Sequence, residues 1–441
     1  MSAGWPKARL VATVLVGQML YTAGDSVSGG KFLTYFVSEL TDSVLDLSLL
    51  FILPETVAVA GLLVQPILRR MGRPSRVWLA FAVLARLFGL AICLTPSLPT
   101  PMRIAVVFVL VALFEVSQAI SYAALIAWLA ALVPDTAWGR LFAKRGMAIA
   151  ATLAIVPPIV GAVVLSAFGR SPTPGQYVLI LGGGQLVTAA GVAVYATLLR
   201  RRPAQNFHQN TERPHELEQS SNGKQSPPPR PLRRLLKSLA SDRTARRTLL
   251  TGWHLAAANG LTQSAFFFYS KDHLGIDVGT AAMLTGLMFA LQIPAAAIAG
   301  ALLDRRSNRR VYIGSLLLVA TALPLWMLAA WDIRAIVVAY AVWGVFGAVN
   351  LAGRTLVMRL LDPRDIAGGV AAFRFVGGAI AGLSGLAGGA ILNATRTEAG
   401  TTATACLGLI AVSFVGRLTA PLWLLGQADP REHPSRPSRP A

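Results

Sequence analysis

In a chain of 441 residues, apolar side chains make up 54% and charged ones only 14%, where a soluble globular domain carries about 25% charged residues. That balance excludes an ordinary soluble enzyme and indicates a polytopic membrane protein. The formal charge of +20 does not indicate a nucleic-acid binder, because about 30 of the lysines and arginines fall in one alternating set of loops, the distribution that holds basic loops and both termini on the cytoplasmic side.

Apolar runs able to cross roughly 30 Å of hydrocarbon recur along the chain. The first half places them at about 9–36, 45–69, 75–97, 103–133, 143–168 and 176–200. The second half places them at about 246–271, 279–303, 309–331, 334–361, 368–393 and 402–426. Hydrocarbon supplies no water for backbone groups, so each run is expected to be helical. The expected fold is therefore all-α and integral to the membrane: twelve segments in two pseudo-symmetric six-helix bundles, 1–200 and 246–426. The first run is long and has no small-residue cleavage site, so it reads as a retained helix. Residues 201–245 form a cytoplasmic linker, polar and Pro-rich through Pro227–Pro229. From Pro231 to Arg247, Leu232, Leu235, Leu236 and Leu239 recur at helical spacing among basic residues, as in an interfacial amphipathic helix. Residues 427–441 form a cytoplasmic tail. Cys93 and Cys406 lie within apolar runs, outside any metal-ligand pattern, so neither a metal nor a cofactor is expected.

The two halves repeat a junction. Pro134, Gly139, Ala143 and Arg145 recur with the same spacing as Pro363, Gly368, Ala372 and Arg374. Duplicated bundles are a common way of building a central substrate site. Gly300, Asp304, Arg305, Arg309 and Arg310 follow segment 8, and Arg70, Gly72 and Arg73 stand in the corresponding loop after segment 2, where Gln65 and Arg69 replace the glycine and aspartate. With the six-plus-six plan and the long linker, these loops resemble those of the major facilitator superfamily, bacterial members in particular. The resemblance covers nearly the whole chain. It implies that these residues gate the inner side and that segments 1, 4, 7 and 10 line a central cavity.

Intramembrane ionisable groups cost at least about 2.5 kcal/mol on insertion scales, so they usually face a cavity or a partner. Glu115 lies about 18 Å along segment 4 at 1.5 Å per residue, close to the midplane, and Gln118 and Tyr122 share its face. Glu115 is read either as a proton-coupling carboxylate or as a static structural one. Asp25 shares a face of segment 1 with Gln18, Thr22 and Gly29, and is read as a binding group or as the partner of a cation such as Lys31. Glu55 follows Pro54 and reads as structural. Segment 7 offers His254, Asn259 and Gln263, and segment 10 offers Asn350 and Arg354. Arg354 is read as a ligand for an anionic group or as the partner of a carboxylate. Arg86 and Arg417 fall in segments that the resemblance places outside the cavity, so they read as snorkelling or paired. The glycines at 182–184 and those of segment 11 read as helix-packing positions.

No Walker loop or catalytic constellation is present, so the chain is not expected to be an enzyme or an ATP-driven pump. The expected function is secondary active transport of a small solute by alternating access, with protons as the candidate coupling ion. The expected partners are the lipid bilayer, a small-molecule substrate and no nucleic acid, for a monomer in the bacterial inner membrane. A non-transporting sensor or scaffold built on the same fold is the alternative.

Overall fold

The computed structural model describes residues 8–57, 60, 67, 70–132, 135–199, 241–305, 307–359, 366–397 and 401–426. Ten helices among them are long and apolar enough to cross a membrane, against the twelve expected. Two segments make the difference. Segment 2 is represented by a short apolar helix, because most of 58–69 lies outside the described residues. Segment 7 forms a 26-residue helix, but Arg246, Arg247, His254, Asn259 and Gln263 make it less apolar than a typical span. The linker 201–240, including most of the expected amphipathic stretch, and the tail 427–441 also lie outside the described residues.

The chain divides into two compact units, one of Met1–Asp42 with Val57–Pro228, the other of Ser43–Thr56 with Pro229–Ala441. In the first, the helices are α1 (Ala8–Ser28), α2 (Gly30–Ser38), α4 (Pro74–Ile92), α5 (Thr100–Leu132), α6 (Asp135–Phe168) and α7 (Pro174–Ala196). The second unit takes up the short helix between them, α3 (Val44–Val57), up to Thr56. Segment 1 is broken where Gly30 adopts φ +48°, a left-handed conformation that glycine accepts without strain. Thr173 starts α7 with a capping box. Its hydroxyl accepts from the Gln176 N–H, and the Gln176 side chain accepts from the Thr173 N–H at 2.7 Å.

Lipid gives helices no hydrophobic reason to associate, so close van der Waals packing must hold them together. The α1–α7 contact achieves this with glycine. Gly17 packs against the Tyr195 ring, Gly24 against the Gly184 carbonyl and Thr188, and Gly191 against the backbone of Tyr21. Near the same end of the unit, Trp78 stacks on Trp128 at 5.1 Å and meets Tyr195 edge-on at 5.6 Å.

The second unit holds α8 (Arg243–Phe268), a π-helical turn at Tyr269–His273, α9 (Val278–Arg305), α10 (Asn308–Ala320), α11 (Ala322–Leu328), α12 (Arg334–Trp343), α13 (Phe346–Arg359), α14 (Ile366–Ala394) and α15 (Ala403–Thr419). Asp242 caps α8 by accepting from the Thr244 and Ala245 N–H groups at 2.8 and 2.9 Å. Here too glycines set the approach. Gly260 lies against the Ala381 carbonyl and Gly388 against that of Leu261, joining α8 to α14. Residues 43–56 pack in this unit, although the sequence reading assigns segment 2 to the first half. Ser48 hydrogen-bonds Ser264 at 2.7 Å, Phe51 meets Phe267 at 5.8 Å, and Gly382 and Gly385 make room for Ile52.

Candidate functional site

The first unit carries a chain of polar side chains across α1, α4 and α5. Arg86 on α4 donates from Nη2 to Gln118 Oε1 at 2.8 Å, and the Tyr21 hydroxyl donates to the same oxygen at 2.5 Å. The other end of the amide donates from Nε2 to Asp25 Oδ1 at 2.6 Å. Only this orientation of Gln118 satisfies the network, since a guanidinium can only donate and an ionised carboxylate can only accept. Arg86 Nη1 stands 3.7 Å from the same Asp25 oxygen. The two side chains differ in access: that of Arg86 is 5% exposed and that of Asp25 40%. The guanidinium also lies over the rings of Phe114 and Tyr21, at 5.0 and 5.4 Å from their centroids. The result is a fixed buried cation joined through an amide to a partly exposed carboxylate.

A second assembly has the same connectivity. Gln18 Oε1 accepts from Arg145 Nε at 2.8 Å and from the Tyr195 hydroxyl at 3.1 Å, and its Nε2 donates to Thr22 at 2.8 Å. The Arg145 guanidinium lies 5.3 Å from the Tyr122 ring centroid. In this copy a neutral threonine stands where the first has a carboxylate.

Of the residues singled out from sequence, the structure brings Asp25 and Gln118 into direct contact and places Tyr122 beside Arg145. Glu115 is half-buried one turn before Gln118, within electrostatic reach of Tyr21. Asp25 pairs with a cation, but this is Arg86, while Lys31 sits in the first turn of α2. Arg86 is paired, one of the two readings given for it, because a long side chain on α4 reaches past the helix contact to α1 and α5. Neither Arg86 nor Arg145 was expected in a site. Their sequence signal is slight: each is an arginine inside a helical stretch, ten residues into α6 for Arg145.

In the second unit the polar residues are dispersed. The His254 ring accepts at Nδ1 from Trp423 Nε1 at 3.2 Å and lies 3.4 Å from the Thr419 hydroxyl at Nε2. It is thus tied to the end of segment 12. His254→Gln is expected to cost about 1 kcal/mol of stability, the scale of a net hydrogen bond, and to leave the pH profile of transport unchanged; thermal unfolding and pH-dependent flux check this. Asn259 and Gln263 are half-buried, with Asn259 Oδ1 lacking a hydrogen-bond partner among the described residues. Asn350 and Arg354 are exposed on α13. Arg417 is 3% exposed, and its Nε and Nη1 have no hydrogen-bond partner among the described residues, which overturns the snorkelling reading. Phe266, Trp326, Tyr340 and Trp343 form a cluster with centroid separations of 4.7–5.8 Å. Sequence reasoning missed it because its members come from three helices.

The loop residues Arg70, Gly72 and Arg73 are exposed, with Gly72 at φ +68° and Arg73 extended before α4. Arg305 and Arg310 are exposed and Arg309 and Gly300 half-buried. The side chains of Asp304, Glu55 and Arg374 lie outside the described residues. No group of three or more metal-ligating side chains occurs among the described residues.

Many apolar helices with polar networks buried between them define a polytopic membrane protein. The family model of the Major Facilitator Superfamily matches residues 14–271 and 248–441; the chain belongs to this superfamily. A search of curated protein sequences gives no match. Among solved structures, the nucleoside transporter NupG superposes with a TM-score of 0.68 at 14% identity, over 95% of this chain and 100% of that one. A D-xylose-proton symporter gives 0.67 at 14% identity, over 95% and 97%. A POT family transporter in complex with a thioalcohol-conjugated peptide gives 0.66 at 11% identity, over 94% and 96%. At such identities the likeness shows the fold.

Proposed function

We propose that the chain is a secondary transporter of twelve segments with both termini in the cytoplasm of a bacterial inner membrane, that it moves a small solute by alternating access, and that Asp25 couples this movement to protons. The observation that carries the coupling is the Asp25–Gln118–Arg86 chain. When Asp25 is ionised, its charge balances the buried guanidinium. A proton arriving on the accessible carboxyl removes that balance and leaves Arg86 a cation held by one amide oxygen and two aromatic faces. An uncompensated buried charge is unfavourable, so the protonated state favours any arrangement in which Arg86 gains an acceptor or access to water. Proton occupancy and conformation are then linked through their differential energies. Glu115, on the same helix as Gln118, is the second carboxylate available to this cycle. The protein acts as a monomer and needs no cofactor.

The test begins with a thermal-shift panel of nucleosides, sugars, peptides and organic acids at pH 6 and pH 8. The first two classes and peptides enter because solved proteins of this fold carry those names. A stabilising solute is then followed in proteoliposomes. With an inward proton gradient the wild type is expected to accumulate it. Asp25→Asn is expected to abolish accumulation while retaining solute exchange without a gradient, and Asp25→Asn/Arg86→Met, which restores local neutrality, guards against misfolding of the single variant. Gradient-driven accumulation by Asp25→Asn would remove Asp25 from coupling. No flux of any panel solute would favour the sensor or scaffold reading.

A further inference from the structure

The second unit carries a cavity of about 370 Å³ between α9, α10 and α13. Its wall includes Ile298 and Leu302 of α9, Arg310, Gly314 and Leu318 of α10, and Val345 just before α13. The lining is unsuited to a polar solute. Apart from Arg310, its polar side chain is Ser315, whose hydroxyl is engaged with the carbonyls of Val311 and Tyr312 at 2.8 and 3.0 Å. Ile298 and Leu318 are 62% and 49% exposed, so the cavity opens sideways among large apolar side chains. At its middle, Gly314 has no atom within 4 Å of where a Cβ would stand, leaving an open notch along α10.

The charge lies at one end. Arg310 sits in the first turn of α10, and Ser307 before it makes no side-chain cap bond, so among the described residues the N-cap side chain leaves the N–H groups of that turn open to an anion. Arg305 and Arg309 flank it, and the Nε of Arg309 has no hydrogen-bond partner among the described residues. The sequence from 304 to 310 holds one acid and four arginines. From Arg310 to Leu318 the helix rises about 12 Å at 1.5 Å per residue, close to one leaflet of a hydrocarbon core roughly 30 Å thick. A cationic helix start at headgroup level, continued by an apolar notch one leaflet deep, matches an amphiphile with an anionic head and a hydrocarbon tail.

We propose that this groove holds an acyl chain of an anionic phospholipid, with its phosphate on Arg310 and the first turn of α10. In the topology proposed above, the lipid comes from the cytoplasmic leaflet. The site depends on α9, α10 and α13 alone and is independent of the solute and its coupling ion.

The test uses the purified full chain, delipidated in detergent, with native mass spectrometry and thermal unfolding as readouts. The probes are dioleoyl phosphatidylglycerol, dioleoyl phosphatidylcholine and water-soluble glycerol phosphate. Phosphatidylglycerol is expected to add a retained molecule and raise the unfolding midpoint, phosphatidylcholine to do so less, and glycerol phosphate to do neither. Gly314→Leu fills the notch and is expected to lose the retained lipid. Arg310→Gln, at an exposed position, is expected to weaken phosphatidylglycerol binding about five-fold, the effect of one surface cation, and to erase the preference over phosphatidylcholine. Equal binding of the two lipids by the wild type would overturn the proposal. So would retention of phosphatidylglycerol by a folded Gly314→Leu, an unchanged preference in Arg310→Gln, or stabilisation by glycerol phosphate alone.

Discussion

Gly24→Leu is expected to lower the thermal midpoint by about 6–12 °C or to prevent folding, whereas Gly183→Leu, in the glycine run of the partner helix, is expected to unfold close to the wild type. At Gly24 any side chain would run into the Gly184 carbonyl and Thr188, and the backbone cannot yield as a flexible side chain would. Overpacking a rigid contact costs about 3 kcal/mol, and each kcal/mol corresponds to about 2–4 °C in a domain of this size. Gly183 has nothing within 4 Å of its Cβ position. Thermal unfolding of the two variants in one detergent is the measurement; equal losses would mean that glycine at 24 and 184 serves no close approach.

The second large effect concerns the ion pair. Asp25→Asn removes the charge that balances Arg86, and because the guanidinium is buried the expected loss is about 3 kcal/mol, the lower end for a broken buried pair. Arg86→Met is expected to cost less, since the Asp25 side chain is partly exposed and retains the Gln118 amide as a donor. Asp25→Asn/Arg86→Met is expected to be more stable than the sum of the single losses allows. A thermal double-mutant cycle measures that coupling. Strict additivity would mean that the 3.7 Å separation carries no stabilising interaction.

The membrane spans were legible because hydrocarbon demands long apolar helices, and the family because its loops carry fixed charges. Asp25, Gln118 and Tyr122 stood out as polar residues inside such helices. Arg86 stood out as well, read as snorkelling or paired, but outside the site, because the resemblance puts its helix away from the cavity; an arginine is long enough to reach past one helix contact. Periodicity tells which face a residue lies on and is silent about what faces it. The partners of Gln118 lie 32, 93 and 97 residues away along the chain and those of His254 165 and 169. For the same reason the glycine run at 182–184 read as uniform packing, while its three members meet different surroundings.

The glycine seam between α1 and α7 also bears on how the protein is made. The first span is the least apolar of the ten, and its face of Gly17, Gln18, Gly24 and Asp25 offers lipid little to hold. Its partners emerge late: Tyr195, which bonds Gln18, follows it by 177 residues. At a synthesis rate of about 5–20 residues per second, the first helix waits about 10–35 s before its seam can close. Throughout that interval a carboxylic acid, an amide and two bare stretches of backbone must be sheltered by the insertion machinery or by the α4–α5 hairpin, which is complete earlier. The first of these ten spans is thus among the last of its own unit to reach its final packing.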